Sequence, residues 1–307
     1  MDGAVRPERL SLPQWLCRAL PPIVSYRLGR KLQRPGLAGE QFVTRTSTGQ
    51  LFSYKTGDVL ADQVRMCGYW DWRVLAIAKA LCRPGDTIIE IGANTGTETV
   101  GLAHIVGPRG RVVAFEPIPQ IAEALRHNVR INNFKNVDVF EIALTDRDHR
   151  VRMHQPPSER NSGQGYVTHN VKDPGIDVLA VALDSMAASI GCSPFILIDV
   201  EGHEVAVLRG ARGYLRRHRP VIVVEAVSEQ LVRAGSSLSE LADELTTSGY
   251  EVLRINRISV TPIVQEQLGA SCHQNWLCLP REQSGKRRGV NAMLPVRALT
   301  PGAFKGR

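Results

Sequence analysis

Residues 87–96 read TIIEIGANTG. The first five are mostly apolar and rich in β-branched side chains, the pattern of a strand buried on both faces. Glycines and small polar residues then break the run, and a helix-compatible stretch follows from about Thr97 to Val106. The same rhythm continues toward the C-terminus. RVVAFEP (111–117) precedes a helix over 120–132, and VDVFEIAL (137–144) is a third strand. PFILIDVEG (194–202) is a fourth, followed by a helix over 203–217, and PVIVVEA (220–226) is a fifth, with a helix over 237–248. YEVLRIN (250–256) and QNWLCLP (274–280) close the series as an expected antiparallel pair. Strands alternating with helices at this interval imply right-handed crossovers. The expected class is therefore α/β: a mostly parallel, Rossmann-like sheet with helices on both faces and an antiparallel last strand.

Residues 145–193 depart from that rhythm. RVRMH and DVLAVALDS flank the polar segment NSGQGYVTHN, which reads as an inserted β region ending in a short helix. Upstream, residues 58–82 show helical spacing stopped by Arg83, Pro84, Gly85 and Asp86. FVTRTSTGQLFSYKT (42–56) alternates around a Thr-Gly turn, as a hairpin does. Short helices are expected over 12–20 and 24–32, separated by Pro21 and Pro22. The expected organisation is an N-terminal extension (1–57), a domain over 58–280 carrying the insertion 145–193, and a basic tail (281–307) without fixed structure.

The chain has 307 residues, of which 43% are hydrophobic and 22% charged, so wholesale disorder and a disulfide-stapled miniprotein are excluded. No apolar run approaches the roughly 18 residues of a membrane span, so stable membrane insertion is not expected. The stretch MDGAVRPERLSLPQWL lacks the uninterrupted apolar core of a secretory signal, and a cytoplasmic location is expected. The six cysteines form no CxxC pair, which argues against a zinc site. A net charge of +8 invites a nucleic-acid reading, but residues 1–34 carry +5 and 281–307 carry +6, leaving −3 on the body. Basic ends on a mildly acidic body give no nucleic-acid groove. Oligomeric state stays open.

In open parallel sheets ligands bind beyond the carboxyl ends of the strands. The turn Glu90 to Gly96 occupies such a place. It lacks the third glycine of a nicotinamide fingerprint, that position being Thr97, and it has no Walker lysine. Glu90 suits an ammonium group and would repel a phosphate. Glu116 lies 24 residues after Gly92, at the end of the second strand, where a carboxylate binds both hydroxyls of a ribose. Two acids around a small-residue turn fit a nucleoside with a cationic amino-acid tail, S-adenosylmethionine better than NAD.

EIGANTG, VVAFEP, EIALTD, the pair Leu183 and Asp184, and LIDVEGHEVAVLRGA together resemble the FkbM-type S-adenosylmethionine-dependent methyltransferases, over residues 58–256. The resemblance implies a class I methyltransferase sheet and, usually, O-methylation of a hydroxyl. It implies that Glu90, Gly92, Asn94 and Gly96 line the methionine end, with Ala93 and Thr95 inside the same turn. Glu116 would bind the ribose, and the loop at Ala143 and Asp146 would touch the adenine. Many members carry Asp where this chain has Glu90 and Lys where it has Leu197.

Methyl transfer is an in-line displacement in which positioning is a large part of catalysis. A hydroxyl acceptor also benefits from a base. Asp199 and then Glu201, at the end of the fourth strand, are the first candidates to orient or deprotonate it. His203 is either a base or a solvated first-turn residue, Glu204 complements the helix start, and Glu225 is cleft-facing or structural. No metal is expected; Mg²⁺ on Asp199, Glu201 and Asp184 is a minor variant. Asn161 and Tyr166, in the insertion, are candidate acceptor contacts or parts of an ordinary turn. Trp70 and Trp72 are either an aromatic wall or core. The expected acceptor is a small molecule or saccharide. An NAD-dependent oxidoreductase and a non-catalytic cofactor-fold protein are the alternatives.

Overall fold

The computed structural model describes residues 6–32, 39–154, 161–168, 174–268 and 271–300. Two short helices, α1 (Leu12–Ala19) and α2 (Pro22–Leu32), lead into the hairpin β1 (Gln41–Arg45) and β2 (Leu51–Lys55). The helical stretch expected over 58–82 is two helices, α3 (Val59–Cys67) and α4 (Trp72–Leu81), because Gly68 turns left-handed at φ 88° and ends the first. Asp58 and Asp71 cap their N-termini.

The strand at 87–91 is β3 (Thr87–Ile91). After it come α5 (Thr99–Val106), β4 (Arg111–Phe115), α6 (Pro119–Ile131) and β5 (Val137–Phe140). The expected third strand breaks after Phe140. Its remainder, β6 (Ala143–Leu144), joins a second sheet with β7 (His149–His154), β8 (Tyr166–Thr168) and β9 (Gly175–Val181), which is the inserted β region. Then follow α7 (Leu183–Ile190), β10 (Phe195–Ile198), α8 (Glu204–Gly210), α9 (Arg212–His218), β11 (Val221–Val227), α10 (Ser228–Arg233), α11 (Leu238–Thr247), β12 (Tyr250–Ile255), β13 (Val260–Pro262), β14 (His273–Pro280) and α12 (Lys286–Leu299).

The main sheet has the order β13-β12-β14-β11-β10-β3-β4-β5, parallel from β11 to β5 and antiparallel beyond. Its central strands are mostly apolar because both faces are covered, and the exceptions, such as Glu90 and Glu225, stand near their carboxyl ends. Ile88, Val112, Leu197, Val223 and Leu277 pack under α4, α5 and α12. Ile89, Val113, Ile196, Ile222 and Val224 pack under α8, α9 and α11.

One expectation is overturned here. The basic tail was expected to lack fixed structure, yet its first part forms α12, with Val290, Leu294 and Ala298 fully buried on the sheet face that α4 also covers. Those three residues recur at a four-residue spacing, and this buried stripe outweighs the surrounding polarity. Residues 301–307 of that tail lie outside the described residues.

Candidate active site

In-register neighbours on adjacent strands point to the same face, and the side-chain period along a strand is two. Leu197 pairs with Glu90 on one side and Val223 on the other. Glu90 in turn pairs with Ala114. Two residues further on lie Asp199, Glu225 and Glu116. Asn275 of β14 faces Glu225. The strand phases thus gather Glu116, Glu90, Asp199, Glu225 and Asn275 at the carboxyl end of one sheet face. All five line a cleft of about 570 Å³, inside the range of small-molecule sites.

The turn after β3 is built tightly. Gly92 has φ +86°, and a Cβ on it would stand 1.8 Å from the Asp199 carbonyl oxygen, so only glycine fits there. The nitrogens of Gly92 and Ala93 both donate to Phe115 O at 2.9 Å. Asn94, left-handed at φ 50°, donates its backbone N–H to Glu116 Oε2 at 3.0 Å, while Ile118 donates to Oε1 at 2.9 Å. Each Glu116 oxygen therefore keeps lone pairs for a ligand hydroxyl. Gly92 and Asn94 line the cleft; Ala93, Thr95 and Gly96 lie behind them and shape the turn. Ala143 lines the cleft with Ile142 and Leu144, whereas Asp146 is exposed, outside the lining, and paired with Arg147 at 3.2 Å.

Burial raises the acids here. Glu90 is pushed to about 8 by burial, with Glu98 adding repulsion, and its Oε2 has no partner. Burial likewise takes Glu98 and Glu116 to about 7. An unpartnered buried carboxylate oxygen beside the glycine turn, and Glu116 at its far side with lone pairs to spare, fit the ammonium and ribose of S-adenosylmethionine.

On the other side of the cleft, beyond β10, Asp199, Glu201 and Glu225 each bring an oxygen within 4.8 Å of the others. Burial first, then repulsion from Glu225, Glu201 and Glu204, holds Asp199 well above the usual carboxylate range. Burial and Glu225 take Glu201 to about 8. Glu201 sits left-handed at φ 55°, held through Gln230 on its carboxylate and Arg233 on its carbonyl at 2.7 Å. His273 pairs with Glu225 at 3.1 Å, and that contact raises the imidazole's affinity for its proton.

The remaining candidates separate by their partners. His203 lines the cleft, its Nε2 held 2.9 Å from Thr145 Oγ1. Glu204 is buried and accepts from Gly202 N (3.1 Å) and Val200 N (3.3 Å), fixing the turn that aims Asp199. Asp184 lies apart, accepting from Gly213 N at 2.8 Å and Tyr214 N at 2.6 Å where α9 begins, so it cannot join Asp199 and Glu201 on an ion. Asn161 spends its oxygen on Gly163 N at 3.1 Å, within its own turn. The next residue, Ser162, reaches the turn after β3 through Asn94 Oδ1 at 3.1 Å. Tyr166 faces the acceptor end, with the Arg233 guanidinium 3.9 Å from its ring centre. Trp70 lines the cleft and Trp72 is core. Sequence reasoning passed over Arg233, Gln230, His273 and Asn275. The phase of β14 against β11 carries the signal for Asn275; nothing local marks the others.

The Methyltransferase FkbM domain model matches residues 90–252. The chain is 24% identical over 185 residues to the 2-O-methyltransferase NoeI of Sinorhizobium fredii, covering 55% of this chain and 74% of that protein. It is 34% identical over 74 residues to a protein-L-isoaspartate O-methyltransferase of Aeropyrum pernix, covering 24% of this chain and 28% of that protein. The match to a probable cobalt-precorrin-6B C(15)-methyltransferase of Sulfolobus acidocaldarius, 39% identical, covers 22% of this chain and 36% of that protein, so these two matches span only about a third of the relatives' length. A crystal structure of methyltransferase FkbM from Methylobacillus flagellatus KT aligns with TM-score 0.42 at 17% identity, covering 72% of this chain and 55% of that one.

Proposed function

The chain belongs to the FkbM methyltransferase-domain family and is an S-adenosylmethionine-dependent methyltransferase, and from that premise we propose that it methylates a hydroxyl oxygen of a saccharide or similar polyhydroxylated small molecule, with Asp199 as the base. The family match sets aside nicotinamide chemistry on the same turn. S-adenosylmethionine supplies an electrophilic methyl group on a sulfonium.

The observation that carries the reading is the Asp199–Glu201–Glu225 cluster beside Gly92. A hydroxyl gives up its proton best to a base whose affinity for protons is near the working pH. Burial and mutual repulsion place Asp199 and Glu201 in that direction. Glu225, Glu229, Asn275 and Tyr166 offer further polar atoms around the same cleft, as recognition of several hydroxyls requires. The name of the Sinorhizobium relative, a 2-O-methyltransferase, supports a hydroxyl acceptor. Glu90, Gly92, Asn94 and Glu116 would hold the cofactor, and Ala143 would flank its base.

The test is paired titration and turnover against a panel of saccharides. Asp199→Asn should bind S-adenosylhomocysteine as the parent does and lose about 10²–10⁴-fold in turnover. Glu116→Ala should lose the binding heat. Full turnover in Asp199→Asn refutes the base assignment. Cofactor binding with transfer only to nitrogen acceptors refutes the hydroxyl assignment.

A further inference from the structure

Helix α1 is inside out. Its polar side chains face the protein: Arg18 donates to Thr44 Oγ1 at 2.8 Å, Val64 O at 3.2 Å and Arg65 O at 2.6 Å. Gln14 is buried and bonds Glu8 at 3.0 Å. Leu12, Trp15, Leu16 and Ala19, at i, i+3, i+4 and i+7, form the opposite stripe, and all are exposed: Leu12 by 70%, Trp15 by 56%, Leu16 by 39%. Leu10 and, on the neighbouring α2, Val24 extend this apolar surface. An amphipathic helix normally turns such a stripe inward.

Among the described residues, the exposed charges around the stripe are cationic. Arg6 and Arg9 precede it, and Arg27 and Lys31 follow Val24 along the exposed side of α2. The nearby acid, Glu8, is already engaged by Nε and Nη2 of Arg65 at 2.8–3.1 Å. Helix α12, from the other basic end, also packs on α2, and it too exposes Val296 and Leu299.

We propose that α1 and α2 form a docking surface for an anionic lipid bilayer, with Leu12, Trp15 and Leu16 entering the headgroup boundary and Arg6, Arg9, Arg27 and Lys31 facing acidic headgroups. Trp and Leu on one side of a short helix, flanked by Arg and Lys, are the composition of an interfacial anchor. No helix among the described residues is long and apolar enough to cross a membrane, so the contact is peripheral. A second copy of the chain is a poorer occupant. A two-fold contact would set these four cations against their own images, with no exposed acid among the described residues of the patch to compensate. The surface is remote in role from methyl transfer and independent of the acceptor's identity.

The experiment is co-sedimentation of the full chain with phosphatidylcholine vesicles, with and without phosphatidylglycerol, and with analytical ultracentrifugation of the protein alone. The chain should bind the phosphatidylglycerol vesicles, weaken in high salt and leave pure phosphatidylcholine largely unbound. Trp15 fluorescence should shift to the blue on binding, and Trp15→Phe should remove that shift. Each cation near an anionic surface is worth about fivefold in affinity, so Arg27→Gln with Lys31→Gln should weaken binding roughly thirtyfold. The triple variant Leu12→Ser, Trp15→Ser, Leu16→Ser should lose vesicle binding and keep its melting temperature and its S-adenosylhomocysteine affinity. Absence of binding to phosphatidylglycerol vesicles, or undiminished binding by the folded triple variant, overturns the proposal. So does a dimer that the triple variant dissolves.

Discussion

The proposed role of Glu90 at the cationic end of the cofactor predicts a calculable dependence of binding on pH. In the free protein burial raises its carboxyl to about 8, so it is mostly protonated at neutrality. A ligand ammonium beside it favours the charged form, and binding must expel the proton. Ionising the group at pH 6 costs about 2.7 kcal/mol, and at pH 7 about 1.4 kcal/mol, at 1.36 kcal/mol per unit. The affinity of the parent protein for S-adenosylhomocysteine should therefore tighten about ninefold from pH 6 to pH 7. Glu90→Gln removes the titrating group and nearly preserves the shape, so its affinity should be weaker at pH 7 and should lack that ninefold term. Titration calorimetry in two buffers of different ionisation enthalpy reads the proton directly. The parent should release about one more proton per ligand than Glu90→Gln near pH 6.5. Equal pH slopes for the two proteins, or equal proton release, refute the idea that Glu90 receives the cationic end.

The free protein should melt highest in mildly acid solution. Glu90, Glu98, Glu116, Glu201 and Glu204 are all raised by burial, so the folded state binds more protons than the unfolded one. Their stabilising contribution is fully present below the unfolded value near 4.5 and is lost as pH rises through about 7–8, a fall that thermal melts at stepped pH will register. Leu294→Ala should cost about 2–5 kcal/mol, because the side chain is fully buried against α4 and the sheet; unaltered melting would remove α12 from the folded unit.

The alternation of strand and helix was readable because a strand covered on both faces is mostly apolar, as 87–91, 195–198 and 221–227 are apart from Thr87, Glu90 and Glu225. The tight turn after β3 was readable because Gly92 and Asn94 occupy backbone positions that few other residues tolerate. Reading failed where long-range packing decides. Lys286–Leu299 looks polar, and its three buried residues matter only because α4 and the sheet leave room for them. Asp184 looked available to the fourth strand, but its partners come from a helix thirty residues later. Asp146 follows β6, which turns away into the second sheet and carries the acid out of the cleft. Glu225 and Asn275 come to the cleft only when the phases of β10, β11 and β14 are set side by side.

Those phases also make sense of Leu197. It stands between Glu90 and Val223 in register and two residues before Asp199, on the face that holds the acids. A cation at that position would lie among Glu90, Asp199 and Glu225 and would draw their proton affinities down; a leucine leaves the group to repel itself. An opposite charge within ~4–6 Å lowers a carboxyl by about 1–3 units. Leu197→Lys should therefore flatten the fall in melting temperature between pH 5 and pH 8, since fewer protons remain bound to the folded state across that range. It should also weaken S-adenosylhomocysteine, because the new ammonium competes for Glu90. The parent side chain is largely buried, so some loss of stability is expected at every pH; the informative quantity is the slope, not the height. An unchanged slope in a variant that still folds would mean that Leu197 does not share a face with these carboxylates, and the assignment of Glu90, Asp199 and Glu225 to one cleft would fall with it.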